Sequence, residues 1–169
     1  MDNGWVALTN PYGSYTAQVN SIVVLGSDVY AGGYCNNSSA YQIAGYWKDG
    51  NWVALTNPLG SYTAQVNSIV VLGSDVYAGG TCNNSSGYQI AGYWKDSSWI
   101  ALADPYGSSS DAVVEQLLIV GSDVYAGGYC YNGSVEFAGY WMDGNWVALT
   151  NPYSMSENSL VYAMAIVQQ

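Results

Sequence analysis

A chain of 169 residues is long enough for one domain with a sizeable core, and with 50% of its residues apolar and 8% charged it is no charge-rich disordered protein. Lys48 and Lys95 are its only cations, set against 12 acidic residues for a formal charge of −10, so it cannot neutralise a row of phosphates and nucleic acid is excluded as a partner. The same charge repels anionic lipid, and no apolar run reaches the ~18 residues of a spanning helix, which argues against membrane insertion.

Taken in order, the chain opens on Gly4-Trp5-Val6-Ala7-Leu8, a predicted strand over residues 4–10 that returns in each later unit. Trp5, Trp52, Trp99 and Trp146 are spaced by 47 residues, as are Trp47, Trp94 and Trp141. A repeat of that length means one supersecondary unit copied along the chain.

The first full unit, residues 19–57, holds four strand-like runs, designated a to d. Run a, Val19 to Leu25, is rich in β-branched residues and ends at the polar turn Gly26-Ser27-Asp28. Run b, Val29 to Cys35, has a small Ala31-Gly32-Gly33 centre that lets a neighbouring sheet approach closely. Asn36-Asn37-Ser38-Ser39 closes it. Run c, Tyr41 to Trp47, alternates Ile43, Gly45 and Trp47 against Gln42, Ala44 and Tyr46, and leads into Asp49-Gly50, which suits a primed hairpin turn because Gly accepts positive φ. Run d, Trp52 to Thr56, stops at Asn57-Pro58, since Pro lacks an N–H for the ladder.

Units 66–104 and 113–151 repeat this plan, and a last run a covers residues 160–167. The third unit inserts one residue between Pro105 and Gly121 and loses one between Cys130 and Ala138. Apolar spacing of three and four is nowhere sustained, so the chain is all-β. Four short antiparallel strands per repeat predict the blades of a β-propeller, about 3.5 per chain, with an open solenoid of four-stranded units as the alternative. Because the chain starts and stops inside a repeat, the expectation is either self-association, most simply as a dimer, or a segment of a longer propeller. Pairing of the first run d with the last run a is a third route.

The repeated residues resemble the kelch motif, in which an apolar run closed by a Gly pair is followed by a Tyr and, six residues on, a Trp. Gly32-Gly33, Tyr46 and Trp52 supply these parts; Gly79-Gly80, Tyr93 and Trp99 repeat them, as do Gly127-Gly128, Tyr140 and Trp146. The resemblance implies a propeller of about six or seven blades used for binding partners. The basic or His-containing stretch often found in that motif is missing, and the copper site of the oxidases with this fold needs His, which the sequence lacks. No functional residue carries across.

Candidate chemistry is sparse. Cys35, Cys82 and Cys130 fall at one position of successive units, too far apart for disulfides, which need Cα atoms within about 7 Å, and read as three half-buried free thiols. Asp28, Asp75, Asp123, Asp49, Asp96 and Asp143 sit in turns, where Asp caps nearby N–H groups. Glu115, Glu136 and Glu157 lie outside the repeated positions and are expected to be solvated. Without His, a Ser or Cys nucleophile has no visible base, and paired carboxylates acting on a glycoside are the one enzymatic alternative. No catalytic residue, cofactor or metal ligand is assigned. Trp47, Trp52, Tyr30, Tyr46 and their copies are expected in the core, where each contributes about 1.5–3 kcal/mol or more.

Up-and-down order puts the d–a and b–c loops on one face and the Asp-bearing turns on the other. The loop face collects Tyr12, Tyr15, Asn36, Asn37, Tyr62, Asn83, Asn84, Tyr106, Tyr131 and Asn132 as candidate ligand-binding residues. Tyr, Asn, Ser and Gly give contact area with adaptable hydrogen bonding, which matches a neutral glycan or a protein ligand better than a charged one. The third unit departs most from the others, at Ser108-Ser109-Ser110-Asp111 and Cys130-Tyr131-Asn132-Gly133, and is the first place to look. Asn36, Asn37, Asn83, Asn84 and Asn132 each begin an Asn-x-Ser pattern, a glycosylation acceptor in a eukaryotic secreted protein, and their position in the b–c turn explains them equally well; an extracellular or cell-surface location is the expectation. The expected function is that of a non-catalytic binding or scaffold module; a bare assembly unit without ligand is the alternative.

Overall fold

The computed structural model describes residues 6–152 and 156–167, apart from the side chain of Tyr62. Among the described residues, twelve strands form three antiparallel sheets of four, each in chain order. The first holds β1 (Ala17–Leu25), β2 (Asp28–Asn36), β3 (Gln42–Lys48) and β4 (Asn51–Ala54); the second β5 (Gly60–Leu72), β6 (Asp75–Asn84), β7 (Gln89–Lys95) and β8 (Ser98–Ala101); the third β9 (Ala112–Val120), β10 (Asp123–Tyr131), β11 (Glu136–Met142) and β12 (Asn145–Ala148). The predicted a, b, c and d runs are these strands, shifted by a few residues at their ends. The largest shift is at β5, which starts six residues before the expected Val66 because Gly60 pairs with Asn84.

The turns follow from their residues. Asp49 and Gly50 have φ of 49° and 82°, and Asp143 and Gly144 repeat this at 48° and 85°, the double positive φ of a type I′ hairpin. Each Asp also accepts a hydrogen bond from the start of the neighbouring second strand: Val29 N–H to Asp49 at 2.8 Å, Val76 to Asp96 at 2.9 Å, Val124 to Asp143 at 3.1 Å. The two lysines act at this same edge. Lys48 reaches Asp28 at 3.3 Å and Lys95 reaches Asp75 at 3.1 Å, each over a Tyr ring.

Each first strand carries a β-bulge, at Asn20, Asn67 and Glu115, where the register slips by one residue. The bulge swings a backbone carbonyl against the second strand, so a Cβ on Gly80 would lie 2.0 Å from the Gln65 carbonyl oxygen. Only glycine fits there, and Gly33 and Gly128 face the same contact.

The core lies between sheets. β5 packs on β1, β2 and β3, and β9 on β5, β6 and β7. Val66 and Ile69 seat over Gly32, and Leu117 over Gly79. Trp47, Trp94 and Trp141 are buried, and their indole N–H groups donate to the carbonyls of Thr9, Thr56 and Ala103 at 3.0, 2.9 and 2.6 Å, so each Trp ties its sheet to the segment 38 residues earlier. Trp52, Trp99 and Trp146 pack beside them with tilted rings at 4.5 Å between centroids but are half-buried, not fully in the core.

Several expectations need correction. The three cysteines are free but fully buried, not half-buried, because each faces the preceding sheet or segment. Glu115 is not a solvated residue outside the repeat: it occupies the bulge position of Asn20 and Asn67 and is partly buried. The described part of the first run, residues 6–10, and the last run, residues 160–167, are not strands and do not pair with each other. They occupy run d and run a positions beside the first and third sheets, and among the described residues neither has the ladder partner that would make it a strand.

Candidate functional site

The loops leaving each fourth strand are organised by one side chain. The Asn57 amide donates to the carbonyls of Thr63 and Asn83, both at 2.9 Å, and its oxygen accepts from Leu59 N–H at 2.8 Å. Asn10 does the same, with the carbonyls of Tyr15, Thr16 and Asn36 as acceptors and Tyr12 N–H as donor. These bonds bring the d–a and b–c loops to one face.

In the third unit this device is rebuilt. Asp104 replaces Asn, still accepting from Tyr106 N–H at 2.9 Å but having no amide to donate. The Ser110 hydroxyl takes over and donates to the Tyr131 carbonyl, the counterpart of Asn83 and Asn36. The loop, longer by one residue, is then fastened to the second sheet: the Asn84 amide donates to the Ser108 carbonyl at 2.8 Å, and Gln89 N–H donates to the Asp111 carboxylate at 2.8 Å. Burial raises the Asp104 carboxyl above its ordinary value, outweighing the hydrogen bonds from Tyr106 and Cys130 that lower it.

Between that loop and the second sheet lies a cleft of about 300 Å³. Tyr88 lines it from the turn between β6 and β7, Tyr106, Ser109 and Asp111 from the loop, Tyr131 from the end of β10 and Asn132 from the turn that follows. Tyr88 and Tyr106 are 38% and 43% exposed, so both rings offer surface to a ligand. Tyr106 is backed by Phe137, 6.0 Å away between centroids. Aromatic faces beside hydroxyl, amide and carboxylate groups suit a ligand with an apolar face and a rim of hydroxyls.

Of the residues singled out from sequence, the structure brings Tyr106, Tyr131 and Asn132 together here, with Asn84 holding the loop in place. The others are elsewhere. Tyr12 and Tyr15 are exposed beside the first sheet. Asn37 is committed to its own turn, accepting from Ser39 and Tyr41 N–H; Asn84 and Asn132 accept in the same manner, and Asn83 donates to Gly87. Asn36 keeps its side-chain oxygen buried without a partner, and the Tyr62 side chain lies outside the described set. Tyr88 was missed. Its counterpart Tyr41 sits in the same turn of the first unit, so the repeat itself was the available signal.

A second cavity, about 470 Å³ and polar, is lined by the bulge residues Asn20, Asn67 and Glu115, by Tyr162, and by Gln18 and Gln65. Asn20, Asn67, Glu115 and Tyr162 are the same position in four successive copies. No family model matches this sequence, and no curated protein matches it.

Proposed function

We propose that this chain is a non-catalytic recognition module built of propeller blades, and that it binds a neutral, hydroxyl-rich ligand, a glycan, in the cleft between the second and third sheets. The observation that carries the reading is the cleft itself: three tyrosines beside a serine and an asparagine, formed at the one place where the loops break the repeat. A bare scaffold gives no reason for a lengthened loop to be fastened across two sheets by Asn84 and Asp111. Both lysines are spent on the opposite edge, so nothing in the cleft pairs with an anion, and the charge of −10 repels acidic saccharides.

The radial arrangement rests on the polar cavity. In blades set around an axis the first strands are innermost, and one position of each copy faces the centre. Four copies of the bulge position lining one cavity is what that arrangement requires.

The test is a glycan array followed by calorimetry on the best neutral hit. Tyr106→Ala and Tyr131→Ala should each weaken binding about tenfold, equivalent to ~1.4 kcal/mol, while Tyr15→Ala changes nothing. An array without signal, or a hit that Tyr106→Ala leaves unchanged, overturns the reading.

A further inference from the structure

The polar cavity beside the three bulges breaks the repeat in its chemistry. The first two units place Asn20-Ser21 and Asn67-Ser68 at the bulge, and the third places Glu115-Gln116. In the first two, both side chains are spent on the next sheet: each Asn donates to one of its carbonyls, and each Ser hydroxyl accepts one of its N–H groups. The third unit gives up both bonds. Among the described residues Glu115 makes no hydrogen bond or ion pair, and Gln116 reaches only the carbonyl of its neighbour Leu117, at 3.1 Å.

What the cavity offers is therefore acceptors. The amide N–H groups of Asn20, Asn67 and Gln116 are committed to backbone carbonyls. In the first unit the acceptors are used as well: the Asn20 oxygen takes the Gln18 amide at 2.7 Å, and the Gln18 oxygen takes the Tyr34 hydroxyl at 2.9 Å. In the second unit Thr81 stands in place of Tyr34, and its buried hydroxyl finds no partner, so Gln65 is left without that bond. The unspent oxygens are those of Gln65, Asn67 and Gln116, beside the Glu115 carboxylate, around a space of about 470 Å³. Burial raises the Glu115 carboxyl above its ordinary value with no hydrogen bond to lower it. The chain's two cations do not answer it, since Lys48 and Lys95 are paired with Asp28 and Asp75.

The geometry points to this cavity as a binding site for a primary ammonium group carried on a small organic molecule. Glu115 supplies the opposite charge, and the three neutral oxygens accept the N–H bonds that an ammonium directs and a bare metal ion lacks. A calcium ion takes about six to eight oxygens at close range, and no three His, Cys, Asp or Glu side chains gather for a metal among the described residues. The volume is that of a small-molecule site, which runs from about 300 to 1,000 Å³, and exceeds what an ion fills. The charge of −10 raises the local concentration of cations at its mouth. The site shares no residue with the tyrosine cleft and stands whether or not that cleft takes a glycan.

The test is a titration of the full chain with butylammonium chloride to about 50 mM, at about 150 mM salt to screen non-specific attraction, followed by nitrogen-edited NMR. The side-chain amide signals of Gln65, Asn67 and Gln116 should shift saturably. Glu115→Gln keeps the shape and removes only the charge, so the fold is retained and the affinity should fall at least about tenfold. Asp123→Asn, which removes one charge from a turn outside the cavity, should change it less than about twofold. Tetramethylammonium, with the same charge and no N–H, should bind at least about tenfold more weakly than butylammonium. The proposal is overturned if these amides show no saturable shift, if Glu115→Gln binds as the parent does, or if the two cations bind equally.

Discussion

The side-chain amide of Asn67 donates to the carbonyl of Val114 at 2.8 Å, crossing from the second sheet to the third. Asn20 makes the same bond to Val66 at 2.7 Å. The next residue adds a second crossing: Ile69 N–H donates to Ser21 Oγ at 3.1 Å, and Leu117 N–H to Ser68 Oγ at 3.0 Å. The bulge makes this arrangement, because an in-register strand would turn only one of the two side chains toward the neighbour. Together with the indole bonds of Trp94 and Trp141, these crossings add direction to the apolar contact between sheets and hold them in one register.

Asn67→Ala should therefore destabilise the chain by about 1–2 kcal/mol, more than the worth of one exposed hydrogen bond, since it strands a carbonyl at the buried residue Val114. Glu115 stands at the third bulge with two acceptor oxygens and no amide. Glu115→Asn should stabilise by about 1 kcal/mol by giving the last segment the same bond. Urea unfolding of the two variants checks both signs.

Stability should fall as pH rises above the ordinary carboxylate range. Burial raises both Glu115 and Asp104 in the folded chain. The unfolded chain then releases these protons first, so the folded state binds more protons over that interval and loses stability with increasing pH. The contribution is complete below the unfolded carboxylate values of about 4 and is lost as pH passes through the raised folded ones. Self-repulsion of the acidic surface acts in the same direction, so the comparison that counts is with the Asp104→Asn, Glu115→Asn double variant. Its unfolding midpoint should vary less between about pH 4.5 and 7.5 than that of the parent.

The hairpin turn of the second unit carries a cost that its copies avoid. Ser97 is held at φ 72°, where Gly50 and Gly144 sit at 82° and 85°. Ala40 stands at φ 62° in a turn where its counterpart Gly87 has 90°. Ser97→Gly and Ala40→Gly should each stabilise by about 1 kcal/mol, less the entropy that Gly returns to the unfolded chain. Thermal unfolding of the single and double variants tests this, and the sites are far enough apart to add.

How much of this was legible beforehand depended on whether a feature recurs as a pattern or as a single offset. Trp52, Trp99 and Trp146 fixed the phase of all four strands, and Asp49-Gly50 the type of turn. The bulges were hidden, since one extra residue inside an extended run such as Val19-Asn20-Ser21-Ile22 leaves no mark in composition. Glu115 was misplaced because the inserted residue moves it 48 positions from Asn67, not 47. Cys35 reads as half-buried because part of the packing on its cluster comes from Leu8, on a segment outside its own sheet. The cleft was half visible: its loops stood out as departures from the repeat, but the partners that fasten them, Asn84 and Gln89, belong to the second unit. The end segments read as strands because their residues are strand-like, yet a strand exists only where another chain segment completes its ladder.

The three thiols offer a reading of where the fold opens first. All are fully buried, and burial pushes each above the ordinary thiol value, Cys35 to about 11 and the other two further. Cys82 and Cys130 lie in clusters that reach across to the preceding sheet, with Ala44 and Leu55 for the first and Tyr77, Ala91 and Leu102 for the second. Cys35 belongs to a smaller cluster with Ala31 and Trp47, against which only the partly buried Leu8 and Trp52 pack. A thiol reagent at about pH 8 should modify every position at least about a hundredfold more slowly than in the unfolded chain, with Cys35 the fastest by a clear margin, as read by peptide mapping. Leu8→Ala should speed Cys35 alone. If the three thiols react at one rate, the sheets open as a unit, and the segment at residues 6–10 is as firmly held as the strands that it stands in for.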